Sequence, residues 1–288
     1  MIRQRTVKDP VTVKGIGLQT GLPATVTLRS APESSGVNFI RTDLPNKPLL
    51  NINSLALDGA SGSLERRTVI GHGPFQIQTI EHLMAALSGL SIDNVIIELN
   101  GEELPGLDGS ASGFVDVIKR AGIIEQDKAR NILEIAEPVW CVGKPGDGFI
   151  AVFPDDDFRV SYTLSYPGSI GTQFLSVGPD IHGDFFEREI APARTFCMEE
   201  EAAKLLKMGL GKGANYDNTL VMGPSGPIKT ELRFPDEPVR HKILDLIGDL
   251  YLLGVRIKGH VVAIKSGHRL NMELVKKIKG DRHGKYRA

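Results

Sequence analysis

In the first part of the chain, apolar positions alternate with polar ones in short stretches bounded by glycine. Examples are Ala24-Thr25-Val26-Thr27-Leu28 and Val37-Asn38-Phe39-Ile40, and this period of two predicts strands. Residues 58–63 are polar and rich in Gly and Ser, and read as a loop. At Thr79 the period changes. Ile80, Leu83, Met84 and Leu87 recur at the spacing of an amphipathic helix that stops near Gly89. Val95-Ile96-Ile97-Glu98-Leu99 then reads as a buried strand closed by the turn pair Asn100-Gly101. The loop Pro105–Ser110 leads to a second helix through Ala111, Phe114, Val115 and Ile118, with Gly122 placed to cap it.

The second half repeats this order. Ala151 to Tyr166 reads as a strand pair around the acidic turn Asp155-Asp156-Asp157. Asp236-Glu237-Pro238 is a helix-start signature, and Val239, Ile243, Leu246, Ile247 and Leu250 carry the helix towards Gly254. A strand over His260–Lys265, a tight loop Ser266-Gly267-His268 and a last helix through Leu270, Leu274 and Ile278 follow. His82 stands seven residues before Gly89, and His241 seven before Gly248. We read two similar halves from an internal duplication. The expected fold is α+β, with an α/β domain over 1–126, a second over 127–280 and a tail at 281–288. The polar run Glu125–Lys128 marks the boundary, and a site would lie in the cleft between the halves. The segment 183–222 has no counterpart in the first half. It carries a short helical pattern (Ala202, Leu205, Leu206) and the glycine-rich run Gly209–Gly213.

Composition narrows the function. The 288 residues carry 34 Lys+Arg against 35 Asp+Glu, a net charge of −1. That balance argues against a general nucleic-acid binder. The hydrophobic share of 41% is enough for a core. The start of the chain has charges and no apolar run, so no secretory signal is expected, and no stretch is long and apolar enough for stable membrane insertion. Only Cys141 and Cys197 are present, which excludes a disulfide framework and a Cys-rich zinc module. The expectation is a cytoplasmic protein, and any metal must use His, Asp and Glu.

The candidate chemistry follows. His241, Asp245 and Asp249 stand at i, i+4 and i+8 and form one line along a helix. Imidazole plus carboxylate one turn apart suits Zn²⁺ or Fe²⁺; the same pattern also fits a solvated helix face, although no basic residue four positions away neutralises either aspartate. Glu81-His82 opens the other helix, where His82 could bind a metal and Glu81 its water, or Glu81 could simply cap. His268 lies in a turn after a buried strand, and Thr195 offers a hydroxyl for an oxyanion; each is equally an ordinary turn or surface residue when taken alone. Gly223–Thr230 fails as a phosphate loop because Ile228 replaces the second Gly and two prolines remove amides. Gly209–Gly213 is a weak dinucleotide motif for lack of a following helix.

Five stretches in one order carry a more specific signal. They are Thr79-Ile80-Glu81-His82-Leu83-Met84-Ala85-Ala86-Leu87, Leu107-Asp108-Gly109-Ser110-Ala111, Ala193-Arg194-Thr195-Phe196, Val239-Arg240-His241-Lys242 with Asp245 and Asp249, and Lys265-Ser266-Gly267-His268. Together they resemble the zinc-dependent UDP-3-O-acyl-N-acetylglucosamine deacetylases of lipid A synthesis, over roughly residues 2–280. The resemblance implies two α/β domains with helices packed inward between outer sheets. It implies His82, His241 and Asp245 as ligands of Zn²⁺ (Fe²⁺ being the alternative), Glu81 as general base and His268 as general acid. Asp249 would orient His268, and Thr195 would help hold the oxyanion. Lys242, Lys265, Phe196 and Asp108 would contact a UDP-linked acylated amino sugar, the two lysines near its polar head and diphosphate. The reaction would remove the N-acetyl group and release acetate in a Gram-negative-type bacterium. A monomer is expected, with no nucleic-acid partner. The chain departs most from the family over about 196–222, where the acyl chain would run. Two other readings share these residues: another metallohydrolase on the same scaffold, and a non-catalytic sugar-nucleotide binder, which would not need both Glu81 and His268.

Overall fold

The computed structural model describes residues 2–54, 66–144, 146, 148–179, 181–280 and 284–287. The loop expected at 58–63 lies outside them.

The fold is α+β. Among the described residues five α-helices, α1 (Glu81–Gly89), α2 (Ser112–Ala121), α3 (Glu199–Lys207), α4 (Glu237–Leu250) and α5 (His268–Gly280), accompany two main sheets. The first sheet has the order Val11–Ile16, Pro23–Ser30, Val95–Leu99, Val37–Arg41, Leu49–Asn51. Its neighbours are antiparallel except Val37–Arg41, which runs parallel to Val95–Leu99. The second sheet contains the order Val139–Val142, Phe149–Phe153, Arg256–Ile264, Phe158–Ser165, Thr172–Val177. Along that order its pairing senses repeat those of the first, with the third and fourth strands again parallel, and Ile132–Ile135 adds a second parallel pairing on Arg256–Ile264. In both, the central strand enters between α1 and α2 or between α4 and α5 in sequence. This shared order is the pattern that a duplication would leave.

Three local expectations change. The strands either side of Asp155–Asp157 do not pair with each other; both pair with Arg256–Ile264, which arrives later in the chain and lies between them. The polar run at 125–128, where the boundary is expected, is regular structure. It belongs to the strand Ile123–Ala129, antiparallel to Arg3–Val7 in a two-stranded ribbon. Much of that ribbon's surface faces solvent, so charged side chains cost little there. Residues 281–288, expected as a tail, include a strand, Gly284–Arg287, antiparallel to Ile132–Ile135.

The helices meet between the sheets. α2 packs on the strand Val11–Ile16, α5 on Val139–Val142 and Phe149–Phe153, and α1 on α4. The amphipathic pattern read for α1 becomes a helix buried on every side, Glu81 and His82 included. Apolar side chains satisfy such a position by packing, whereas a polar one needs a specific partner. The α1–α4 contact is close because of Gly248: a Cβ there would overlap the Glu81 carbonyl oxygen. Gly89 plays the same part for Phe186, whose ring fills the space that a Cβ would need. Gly254, at φ +76, ends the α4 segment in the left-handed conformation that glycine accepts without strain.

Gly248→Ala must push α4 away from α1 or strain both. The expected loss is roughly 1–3 kcal/mol of stability, read from urea denaturation. An unchanged midpoint would contradict the close approach.

Candidate metal and acid–base centre

The α1–α4 contact brings the first turn of α1 against the middle of α4. His82 Nε2 lies 3.7 Å and His241 Nε2 3.3 Å from Asp245 Oδ1. One candidate ligand atom from each of the three lies within 4.8 Å of the other two. The histidine rings meet edge to face at 5.1 Å between centroids. Asp245 Oδ1 is buried and has no hydrogen-bond partner among the described residues. A buried carboxylate oxygen without a donor is costly, and a cation held among these three atoms would remove that cost. The donor set, two imidazoles and a carboxylate, fits a borderline divalent ion.

Protonation favours the same use. Burial, then neighbouring His241, lowers His82 to about 3. Burial also lowers His241. Both are therefore neutral imidazoles with lone pairs available near neutral pH. His241 Nδ1–H donates to the Ala193 carbonyl at 3.0 Å, which turns its Nε2 toward Asp245. Burial alone would raise Asp245, but the Lys242 ammonium and the His268 imidazolium beside it prevail and hold it well below the usual carboxylate range.

A second network adjoins the first. Asp249 Oδ2 accepts from His268 Nδ1–H at 2.8 Å and from Asn271 Nδ2 at 2.8 Å. The Thr68 hydroxyl donates to Asp249 Oδ1 and lies 3.1 Å from His268 Nδ1. The Thr68 amide donates to Glu81 Oε2 at 3.1 Å. Asn271 Oδ1 accepts from the Ser266 hydroxyl at 2.6 Å. His268 Nε2 then faces Glu81 Oε1 at 3.9 Å and Asp245 Oδ2 at 3.8 Å. Burial would lower His268, but Asp249 and Asp245 overcome it and raise the imidazolium to about 9. Burial pushes Glu81 up to about 7, against the attraction of His268 and with the repulsion of Asp245 and Asp249. Such opposed shifts on adjacent acid and base groups are characteristic of proton-transfer sites.

The three candidate ligands, Glu81 and His268 face a cavity of about 290 Å³. Glu81, His82, Thr195, Phe196, His241, Lys242, Asp245 and His268 line it. Leu18, Ala202, Leu205, Leu206 and Val221 give one wall an apolar surface.

Comparison with known proteins agrees. Residues 4–280 match the family described as UDP-3-O-acyl N-acetylglycosamine deacetylase. The chain belongs to that family. A UDP-3-O-acyl-N-acetylglucosamine deacetylase from Chlamydia felis is 44% identical over 278 residues, covering 96% of each chain. One from Bdellovibrio bacteriovorus is 40% identical over 280 residues, covering 96% of this chain and 90% of its own. One from Trichormus variabilis is 39% identical over 281 residues, covering 96% and 98%.

Two residues expected to contact substrate, Lys265 and Asp108, are not among those lining this cavity. Lys265 is exposed at the end of its strand and is not among the cavity-lining residues. Asp108 binds Arg233 at 2.8 Å and the Ser110 hydroxyl at 2.8 Å, and borders a separate shallow groove. Asp245 also has a cation that the i+4 rule misses: Lys242, three residues before it, donates to Oδ2 at 2.8 Å.

The sequence reading missed four contributors. Asn271 follows His268 by three positions on α5, so helical spacing could have found it. Thr68 stands 13 residues from Glu81 and 181 from Asp249, and no local pattern joins them. Buried Arg194 and Glu237 form an ion pair at 2.9 Å, and Glu237 also accepts from the Arg194 amide. Leaving one charge of such a pair uncompensated costs about 3–5 kcal/mol. The pair therefore holds Ala193 and Thr195 firmly against α4.

His241→Ala should lower the divalent-metal content per chain, measured by elemental analysis of protein purified without chelator. Unchanged content would remove His241 from the ligand set.

Proposed function

We propose that this chain removes the N-acetyl group from UDP-3-O-(3-hydroxyacyl)-N-acetylglucosamine and releases acetate, an early committed step of lipid A biosynthesis. The observation that carries the proposal is the convergence of a buried two-His, one-Asp cluster with Glu81 and His268 in one cavity that has an apolar wall. The family and the names of its members support the same reading. Two free thiols fit a reducing cytoplasm.

His82, His241 and Asp245 would hold the metal, Zn²⁺ or Fe²⁺. When bound, it supplies a Lewis acid and lowers the pKa of a water toward ~7. The remaining chemistry belongs to side chains. Glu81, fixed through Oε2 by the Thr68 amide, takes a proton from the attacking water at Oε1. The oxygen adds to the acetamide carbon, and the Thr195 hydroxyl donates to the oxyanion that forms. The C–N bond breaks once the nitrogen receives the Nε2 proton of His268, because an unprotonated amine leaves poorly. Asp249, aligned by Thr68 and Asn271, keeps His268 cationic and its Nε2 aimed at the site. The 3.9 Å between Glu81 and His268 lets the proton gained by one return to the other. Lys242 faces the polar end of the substrate, and the apolar wall takes the acyl chain.

Glu81→Ala should retain bound metal yet release acetate at least ~100-fold more slowly; wild-type-like turnover would refute the base assignment. Wild-type turnover should stop in the presence of a chelator. The pH profile should also be informative. His268 is raised above its ordinary value, so its proton is present through neutral pH and is lost as pH rises through about 9. The rate should fall across that range, and His268→Ala should be slow and have no alkaline limb.

A further inference from the structure

Exposed apolar side chains stand on the two segments that border the cavity. Leu206 and Tyr216 line the cavity, and Leu206 is 58% and the neighbouring Met208 66% exposed. Ile16, at the end of its strand, and Leu22, in the turn that follows, are exposed on the facing hairpin. Backbone bonds join the two sides. The amides of Lys212 and Gly213 donate to the carbonyls of Gln19 and Leu18 at 3.2 and 3.1 Å. The Gly211 amide donates to Gln19 Oε1 at 3.1 Å. The two segments are thus held side by side, Gly213 against Ile16 and Lys212 against Gly21, and their exposed apolar side chains share one end of the cavity.

The surface is also cationic. From Ala202 to Tyr216 the chain carries Lys204, Lys207 and Lys212, all exposed, and no acid. Lys229 Nζ lies 4.5 Å over the Tyr216 ring. The acids of α3 occupy its other end, where Glu201 is bound to Arg66 at 2.5 Å; Asp217 is exposed beside Tyr216. α3 buries none of its residues. A helix that leaves Leu and Lys together in solvent, with Met208 directly after it, has the composition of a segment that lies in a membrane interface. No described helix is long and apolar enough to cross a membrane, so the contact would be peripheral.

We propose that this rim docks on an anionic lipid bilayer surface. Leu206, Met208, Leu22 and Ile16 enter the headgroup boundary, and Lys204, Lys207, Lys212 and Lys229 meet the anionic headgroups. The continuity of the apolar surface from rim into cavity favours lipid over a protein partner, which would cap the opening. A bilayer contact lets an acyl chain pass into the cavity without crossing water. That last point rests on the proposed acylated substrate; docking itself is read without any turnover.

The test is co-sedimentation of the full chain with vesicles of phosphatidylcholine alone and of an equimolar phosphatidylcholine–phosphatidylglycerol mixture. The expected result is sedimentation with the anionic vesicles only, reversed by high salt. The double variant Lys204→Glu, Lys207→Glu should bind at least ~10-fold more weakly, and Met208→Asp should also weaken binding. None of these three residues lines the cavity, so their acetate release from soluble substrate should stay at the wild-type rate. Absence of wild-type binding, or binding that both variants retain, would overturn the proposal. So would concentration-dependent self-association abolished by Met208→Asp, which would assign the patch to a second copy of the chain.

Discussion

One close contact organises the molecule. Gly248 has no side chain, so α4 can lie against the backbone of α1 at Glu81. That approach places His82 of one helix beside His241 and Asp245 of the other, and it leaves Glu81 facing His268. A methyl group at this point would overlap the Glu81 carbonyl oxygen and force the helices apart or strain both. The sheets outside serve to carry the two helices to this meeting, and the similar strand order on each side explains how they arrive in corresponding positions.

Such closeness has an electrostatic consequence. Glu81, Asp245 and Asp249 are all buried within one small region, together with His268 and Lys242. Three carboxylates out of water would repel one another and lose hydration. Lys242 and cationic His268 offset part of this, and donors from Thr68 and Asn271 offset more. The oxygen of Asp245 left without a donor marks where the compensation is incomplete, and there a cation belongs. The same field separates the proton affinities of Glu81 and His268, so in the proposed function one network would serve both metal binding and proton transfer.

The segment after Phe196 completes the cavity rather than the catalytic groups. α3 and the glycine-rich loop reach the Leu18–Gln19 turn and give the opening its apolar lip. Because this segment packs little of itself into the core, its composition is free to suit what the opening faces.

Much of the fold was legible in the sequence. The helix periods, the glycine stops and the order of elements are local properties, and the strand Val95–Leu99 appears as read. The spacing of His241, Asp245 and Asp249 on one helix line was legible for the same reason. Pairing between distant strands was not: nothing near Asp155–Asp157 says that Arg256–Ile264 will lie between its neighbours. Motif neighbourhood does not determine which way a side chain faces: Lys265 and Asp108 do not line the cavity, and Asp108 pairs with Arg233. Thr68 was invisible because its partners come together only when α1, α4 and α5 pack. The sequence alone determined which residues could carry the chemistry and on which elements they stand. The tertiary structure decided which of them share a cavity and in what protonation state, since burial and long-range proximity exist only once the chain has closed on itself.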